Sequence, residues 1–151
     1  MEKIIEAKNL TKVYGEDGTS VTALNNVNLD FYENKFTAIM GQSGSGKSTL
    51  LHCLAGLDKV TSGSIFVKGV DLGSLNDKEL TKIRRDSFGF VFQAFNLIPT
   101  LTAEENITLP SSIAGRKPDE EWINQIVNTI DIGDRLNLSL IHISEPTRPI
   151  H

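Results

Sequence analysis

The sequence predicts an α/β fold with an antiparallel β portion at its N-terminus, and three features support this prediction. Apolar residues make up 39% of the 151 positions, which is enough for a packed core and argues against a disordered chain. Two strand-like segments near the N-terminus are joined by a turn. A short apolar run, a glycine-rich loop and a helical pattern then follow one another, which is the order of a strand–loop–helix unit.

The first two predicted elements are strands. Residues 3–14 carry apolar side chains among polar ones, and Val21 to Phe31 alternates over its last positions, as half-buried strands do. Glu16-Asp17-Gly18 lies between them and is a turn signal. We therefore expect the second strand to return along the first as an antiparallel hairpin.

Three further elements surround the glycine-rich loop. Lys35 to Met40 is a short apolar run that ends at the loop and is typical of a buried strand. Lys47 to Leu57 places its leucines on one face, which predicts an amphipathic helix. Ser62 to Val67 predicts another strand.

The second half of the chain is expected to be mostly helical. Asn76 to Arg85 predicts a polar surface helix that begins with a capping box, and Phe88 to Phe92 predicts a strand. Thr102 to Ala114 begins with Thr-x-x-Glu, a second capping box, although Pro110 is expected to end or kink this helix. Pro118 to Ile130 carries apolar residues four apart and predicts a helix.

Charge and cysteine content exclude several classes of protein. The chain has 15 basic and 19 acidic residues, so no basic surplus points to a nucleic acid partner. Cys53 is the single cysteine, which excludes an intrachain disulfide and fits a reducing compartment. No apolar run approaches the ~20 residues that a membrane span needs, and the first residues show no signal-peptide pattern. We expect a soluble cytoplasmic domain.

Residues 41–48, Gly-Gln-Ser-Gly-Ser-Gly-Lys-Ser, match the phosphate-binding pattern G-x-x-x-x-G-K-[ST] in full. Glycines permit positive φ angles, which bring backbone N–H groups against phosphate oxygens. The helix that follows directs the positive end of its dipole to the same place. Lys47 adds a charge for the β- and γ-phosphates, and the Ser48 hydroxyl is a ligand for Mg²⁺.

The competing interpretation of this loop is a surface turn whose lysine is merely solvated. The apolar run before the loop and the amphipathic helix after it are the context that the phosphate motif requires. The sequence therefore predicts a nucleoside triphosphate site with Mg²⁺, in a P-loop NTPase.

Over residues 3 to about 137, the order and spacing of motifs resemble the ATP-binding subunits of ABC transporters. The resemblance is greatest to the exporter branch that includes lipoprotein-releasing and macrolide-export ATPases. The matching segments are Leu10 to Gly15, Ala23 to Leu29, the phosphate loop, Leu54 to Asp58, Thr61 to Ile65 and Phe88 to Ile107. This implies the ABC ATPase form of the P-loop fold, incomplete at the C-terminus.

The resemblance implies roles for two residues outside the loop. Tyr14 corresponds to the aromatic residue that stacks on adenine; the alternative is a strand-end aromatic packed on the core. Gln93 corresponds to the glutamine that contacts Mg²⁺ and the attacking water; the alternative is an exposed loop residue. The implied cofactors are ATP and Mg²⁺, with Ser48 and Gln93 on the metal. The implied nucleotide contacts are Tyr14, Gly41, Gln42, Ser43, Gly44, Ser45, Gly46, Lys47, Ser48, Thr49 and Gln93.

The other polar candidates have simpler interpretations. His52 and Cys53 are expected to be packing residues on the helix after the loop, with His52 alternatively solvated. Arg84-Arg85 is expected to be a solvated helix face. Asp119-Glu120-Glu121 follows a proline at a predicted helix start, where acidic residues favour the dipole, and is a poor candidate for catalysis.

Three elements that the resemblance implies are missing from the sequence: a Leu-Ser-Gly-Gly-Gln-like signature, a strand ending in Asp-Glu, and a switch histidine. Glu145 and His151 are rejected as substitutes, because Ser144 replaces the metal-holding acid and no signature precedes it. Residues 138–148 instead resemble the in-frame translation of a transposon-type sequencing adapter. We therefore expect residues 1–137 to be the N-terminal part of a nucleotide-binding domain and residues 138–151 to be a non-native tail.

The predicted function is ATP binding in a subunit that couples ATP hydrolysis to export. The expected partners are a membrane permease subunit and a second nucleotide-binding subunit, without nucleic acid. The protein would be cytoplasmic and peripheral on the inner face of the cell membrane through its permease. No catalytic residue is assigned within this chain, and negligible hydrolysis is expected from it. The alternatives are a stand-alone nucleotide-binding module without hydrolysis, and a P-loop kinase or GTPase, which leaves Tyr14 and Gln93 unexplained.

Overall fold

The computed structural model describes residues 2–16 and 18–143. The chain divides into two compact units, the first comprising residues 1–89 and the second residues 90–151. In the described residues, no helix combines the length and the apolar character needed to cross a bilayer.

The first unit contains a four-stranded antiparallel sheet. Its strands are β1 (Lys3–Tyr14), β2 (Val21–Tyr32), β3 (Ser62–Val67) and β4 (Val70–Asp71), in the order β2-β1-β3-β4. The predicted hairpin is confirmed, since β1 and β2 pair along their whole length. The short β4 was not predicted from the sequence.

One face of this sheet packs on helix α1 (Lys47–Leu54). Leu10 of β1 and Cys53 of α1 are fully buried at the centre of the core. Burying an aliphatic side chain of this size contributes about 1.5–3 kcal/mol, so the core holds the sheet against α1 and positions the loop that precedes it. The remaining buried members of this cluster are Ala7, Leu24, Leu50, Leu54, Ile65, Val67 and Leu72.

Two predicted strands are wrong. Neither Lys35 to Met40 nor Phe88 to Phe92 forms a strand, and Phe36 and Met40 are 96% and 88% exposed. An apolar run becomes a buried strand only when neighbouring strands pair with its edges and other layers cover its faces. Among the described residues, the named strands all belong to the antiparallel sheet, and none pairs with these two runs.

Helix α1 ends at Leu54, three residues before the predicted end. Gly56 adopts φ +66°, and its N–H donates to Cys53 O while Leu57 N–H donates to His52 O. This pair of bonds is the usual glycine-based helix termination, which turns the chain away from the core. Leu57 is consequently exposed.

Helix α2 (Asp77–Ser87) begins with the predicted capping box, in which Asn76 accepts from Glu79 N–H and Glu79 accepts from Asn76 N–H. A short 3-10 turn, Leu72–Ser74, precedes it. The expectation that Arg84 is merely solvated is wrong, because its guanidinium donates to Gly56 O at 2.8 Å. This bond ties α2 to the end of α1.

The second unit is helical, with α3 (Ala103–Ile113), α4 (Glu120–Thr129) and α5 (Leu140–Ile143), and a 3-10 turn at Gly133–Arg135. The capping box at Thr102 is confirmed, and α3 continues three residues beyond Pro110 before it ends. Asp119 caps α4 by accepting from Trp122 N–H, so the acidic run begins a helix, as expected.

The start of the predicted non-native tail contacts the beginning of α3. Ser139 forms an isolated bridge with Thr102, and Ala103 N–H donates to Leu138 O at 2.8 Å. Glu145 and His151, to which no catalytic role is assigned, lie outside the described residues.

Candidate functional site

The glycine-rich loop enters α1 through a backbone conformation that suits glycine. Gly44 has φ +78° and Gly46 has φ +88°, and Gly46 is the N-cap of α1. A Cβ atom added to Gly46 would lie 2.4 Å from the carbonyl oxygen of Ala23 in β2. The loop therefore passes so close to the sheet that a side chain at Gly46 would collide with backbone, as well as strain φ.

Lys47 folds back over this loop. Its Nζ donates to the carbonyl oxygens of Gly41 and Gln42 at 2.7 and 2.6 Å, and to Ser45 Oγ at 3.4 Å. The ammonium group has three donors, and loop oxygens accept from all three. The loop is thereby wrapped around a positive charge.

The first turn of α1 adds N–H donors beside that charge. The first intrahelical bond runs from Leu50 N–H to Gly46 O at 2.8 Å, so the N–H groups of Lys47, Ser48 and Thr49 have no intrahelical acceptor. Gly46 has no side chain with which to cap them. Donors at a helix N-terminus next to a lysine form a site for an anion.

A cavity of about 550 Å³ opens at this place. It is lined by the start of β2, from Val21 to Ala23, and by Ser43, Gly44 and the first turn of α1 from Gly46 to Thr49. Its volume lies in the range of small-molecule sites, which is roughly 300–1,000 Å³. Ser48 is exposed on this turn, with a hydroxyl oxygen of the kind Mg²⁺ accepts.

Tyr14 lies at the end of β1 with 42% of its surface exposed, so it is not a buried core aromatic. Its hydroxyl donates to Asp58 Oδ2. The hydrogen bond to Asp58 raises the pKa of the Tyr14 phenol above its ordinary value. Asp58 N–H donates to His52 O of α1 at 3.2 Å, so Asp58 connects the aromatic residue to the helix that begins at the glycine-rich loop.

Lys12 completes this arrangement with Tyr14 and Asp58, which we call the Lys12–Tyr14–Asp58 cluster. Lys12 Nζ donates to Asp58 Oδ1 at 2.7 Å and lies 4.6 Å from the centroid of the Tyr14 ring. The hydrogen bond from Lys12 lowers the pKa of Asp58, and the same bond raises the pKa of Lys12. Lys12 and Tyr14 are two apart on a strand and share a face, which is a signal the sequence contains. Asp58 carries no such signal.

Gln93 belongs to the second unit. It is exposed and lies in a stretch without helix or strand, next to the stacked rings of Phe90 and Phe92, whose centroids are 5.5 Å apart. Its predicted contact with Mg²⁺ stays a prediction.

The remaining candidates have structural surroundings. Cys53 is buried in the core, and burial raises the pKa of its thiol. His52 is exposed on α1, and Arg85 pairs with the neighbouring Asp86. Among the described residues, no group of three or more histidine, cysteine, aspartate or glutamate side chains could hold a metal ion.

The sequence of this chain is similar to a known protein family and to individual members of it. A family profile described as "ABC transporter" matches residues 24–146. The uncharacterized ABC transporter ATP-binding protein MJ0796 of Methanocaldococcus jannaschii is 53% identical over 107 residues, which are 71% of this chain and 46% of that protein. The macrolide export ATP-binding/permease protein MacB of Marinobacter nauticus is 40% identical over 136 residues, 89% of this chain and 21% of that protein.

The fold is similar to solved structures of the same kind. A dimeric post-hydrolysis structure of the ATP-binding cassette MJ0796, bound to ADP and Pi, superposes with a TM-score of 0.77 at 42% identity. The match covers 89% of this chain and 61% of that one. The chain spans between about a fifth and three fifths of the length of these relatives.

Proposed function

The chain belongs to the ABC transporter family of ATP-binding domains, and from this premise we propose that its first unit binds Mg²⁺-ATP at the loop of residues 41–49. The observation that carries the proposal is the loop itself, wrapped around Lys47 and opening on the N–H donors of α1. This arrangement supplies positive charge and hydrogen-bond donors together, which is what a triphosphate requires.

On this proposal, Lys47 exchanges one of its three hydrogen-bond acceptors when a phosphate group binds. Its bonds to Gly41 O and Gln42 O are short, whereas its contact with Ser45 Oγ is 3.4 Å and weak. A phosphate oxygen would replace Ser45 as the third acceptor without opening the loop. Lys47 then holds the β- and γ-phosphates while the N–H groups of the loop and of the first turn of α1 hold their remaining oxygens.

The base and the metal use residues around the loop. We assign adenine stacking to Tyr14, whose exposure at the end of β1 supports this role. Ser48 and Gln93 are assigned to Mg²⁺, which usually takes one or two protein ligands together with phosphate oxygens and water. The metal supplies charge neutralisation on the phosphates when bound.

The whole protein is proposed to work as a pair of ATP-binding subunits with a membrane permease, in export, at the inner face of the cell membrane. The relatives named as a macrolide export ATP-binding/permease protein and as a dimeric cassette support this assembly. The sequence lacks the signature, an apolar strand ending in Asp-Glu and the switch histidine, so we propose that this chain binds ATP with negligible hydrolysis.

The binding proposal is tested by titrating the 151-residue chain with Mg²⁺-ATP in a calorimeter. Lys47→Ala removes a charged hydrogen-bond donor and is expected to weaken affinity about tenfold or more. Lys82→Ala removes an exposed lysine of α2 as a matched control and should leave affinity unchanged. Equal affinities of the Lys47→Ala variant and the native chain would overturn the proposal.

Hydrolysis is tested separately by phosphate release. Turnover by this chain that Lys47→Ala abolishes would contradict the proposal of binding without hydrolysis.

We propose that residues 138–151 are a non-native tail, because residues 138–148 resemble the translation of a sequencing adapter, although the family profile match extends through residue 146. An independent genomic sequence across this position tests the proposal. We expect family-like sequence with the missing signature after Asn137. Genomic codons for Leu138 to Arg148 would refute the adapter origin.

A further inference from the structure

We propose that Lys12 and Asp58 are positioning residues that hold the Tyr14 ring with one face covered and the other open to the nucleotide base. The proposal rests on the proposed function, which assigns base stacking to Tyr14. It adds how the ring is held and which face the base can use.

Asp58 holds both other members of the Lys12–Tyr14–Asp58 cluster through its two carboxylate oxygens. Oδ1 accepts from Lys12 Nζ at 2.7 Å, and Oδ2 accepts from the Tyr14 hydroxyl. Lys12 Nζ also donates to Lys59 O at 2.7 Å. The loop after α1 therefore fastens two side chains of β1, so the Tyr14 ring cannot swing about its Cα–Cβ bond without breaking a hydrogen bond.

Lys12 covers one face of the ring. Its Nζ is 4.6 Å from the ring centroid, within the range of a cation–π contact. The Lys12 side chain is only 12% exposed, whereas Tyr14 is 42% exposed. A base that stacked on the Lys12 side would have to displace a hydrogen-bonded and largely buried ammonium group. The base is therefore directed to the opposite face.

The cluster also connects the ring to the phosphate site. The Tyr14 hydroxyl donates to Asp58, and the N–H of Asp58 donates to His52 O of α1 at 3.2 Å. A stacked base and the phosphates of the same nucleotide must fit one fixed separation. Holding the ring at Asp58, which is itself bonded to α1, sets that separation before the nucleotide arrives, which lowers the entropy lost on binding.

The test distinguishes effects on base binding from effects on phosphate binding. It uses two ligands, Mg²⁺-ATP and Mg²⁺-tripolyphosphate, and the second of these has no base. Lys12→Met keeps the aliphatic stem and removes the charge, and Asp58→Ala removes both anchors. Each variant is expected to bind ATP about threefold to tenfold more weakly, which is part of the affinity that base stacking on an aromatic residue provides. The affinity for tripolyphosphate should be unchanged. In a Tyr14→Ala background, neither change should weaken ATP binding further.

Lys8→Met is the matched control, because Lys8 is also a lysine of β1 over an aromatic ring, that of Phe66, at 5.0 Å. It should leave both affinities unchanged. Thermal unfolding monitored by circular dichroism shows that each variant is folded at the assay temperature. If Asp58→Ala unfolds, Tyr14→Phe removes the same hydroxyl bond with the ring kept and should weaken ATP binding alone.

The outcomes distinguish this inference from the proposed function. If Tyr14→Ala weakens ATP binding while Lys12→Met and Asp58→Ala do not, stacking stands and the positioning role is overturned. If Tyr14→Ala leaves ATP binding unchanged, base stacking itself is refuted. An equal loss of tripolyphosphate affinity would overturn the positioning role, because the cluster would then act on the phosphate loop.

Discussion

The two units of this chain differ in how they are held together. The first unit contains a sheet, helix α1 and a cluster of buried apolar residues between them. Among the described residues of the second unit, Val127 is the one buried apolar side chain, and α3 contains none. Burial of apolar surface is the main favourable term in folding, so the phosphate loop is built on the better-packed part of the molecule.

That difference predicts that truncating a core side chain lowers the free energy of unfolding much more than truncating a surface side chain. This is the largest of the effects expected for the chain. Leu10→Ala empties a fully buried position and should lower the free energy of unfolding by about 2–5 kcal/mol. Ile113→Ala, at a side chain 70% exposed in the second unit, should change it by less than about 0.5 kcal/mol. Urea unfolding measures both. Similar losses would show that the two units depend on packing equally.

Two glycines with positive φ angles, Gly46 in the first unit and Gly115 in the second, differ in the space around them. Gly46→Ala brings a Cβ against backbone at φ +88° and should lower the free energy of unfolding by about 1–3 kcal/mol or more. The same substitution should weaken nucleotide binding. Gly115→Ala, at φ +66°, meets nothing within 4 Å and should cost about 1 kcal/mol of backbone strain with no change in affinity. Thermal unfolding and ATP titration check the pair. Retained affinity in Gly46→Ala would show that the loop tolerates displacement.

The helix caps test local stability in each unit. Asn76→Ala and Thr102→Ala each remove a capping box, at a cost of about 1 kcal/mol. Hydrogen exchange should speed up in α2 alone for the first variant and in α3 alone for the second. Faster exchange throughout the chain would instead indicate that the two units unfold together.

The smallest expected effect is a pH dependence within the first unit. The pKa of Asp58 is lowered and the pKa of Lys12 is raised, so their pair stabilises the fold above the unfolded pKa of Asp, about 4, and below that of Lys, about 10. This contribution is lost as pH falls through the lowered pKa of Asp58. Native and Lys12→Met chains should therefore differ by at most about 1 kcal/mol at pH 7 and converge in acid. A gap that persists at low pH would contradict the ion pair as its source.

Much of the first unit could be predicted because its signals are local. Alternation predicted β1 and β2, and Asn76 with Glu79 predicted the start of α2. Helix α3 shows where such a local signal misleads. Pro110 was expected to end or kink the helix because proline removes one backbone hydrogen bond, yet the helix continues to Ile113.

The glycine-rich loop before α1, the helix caps and the turn of the hairpin could be predicted from the sequence alone, because the signal for each lies within a few neighbouring positions. Only the tertiary structure decided that residues 35–40 and 88–92 are not strands, since a strand needs a partner that periodicity does not reveal. It also decided the Lys12–Tyr14–Asp58 cluster, whose hydrogen bonds join residues 46 and 44 positions apart. Contacts over that separation arise only when the sheet and α1 pack together.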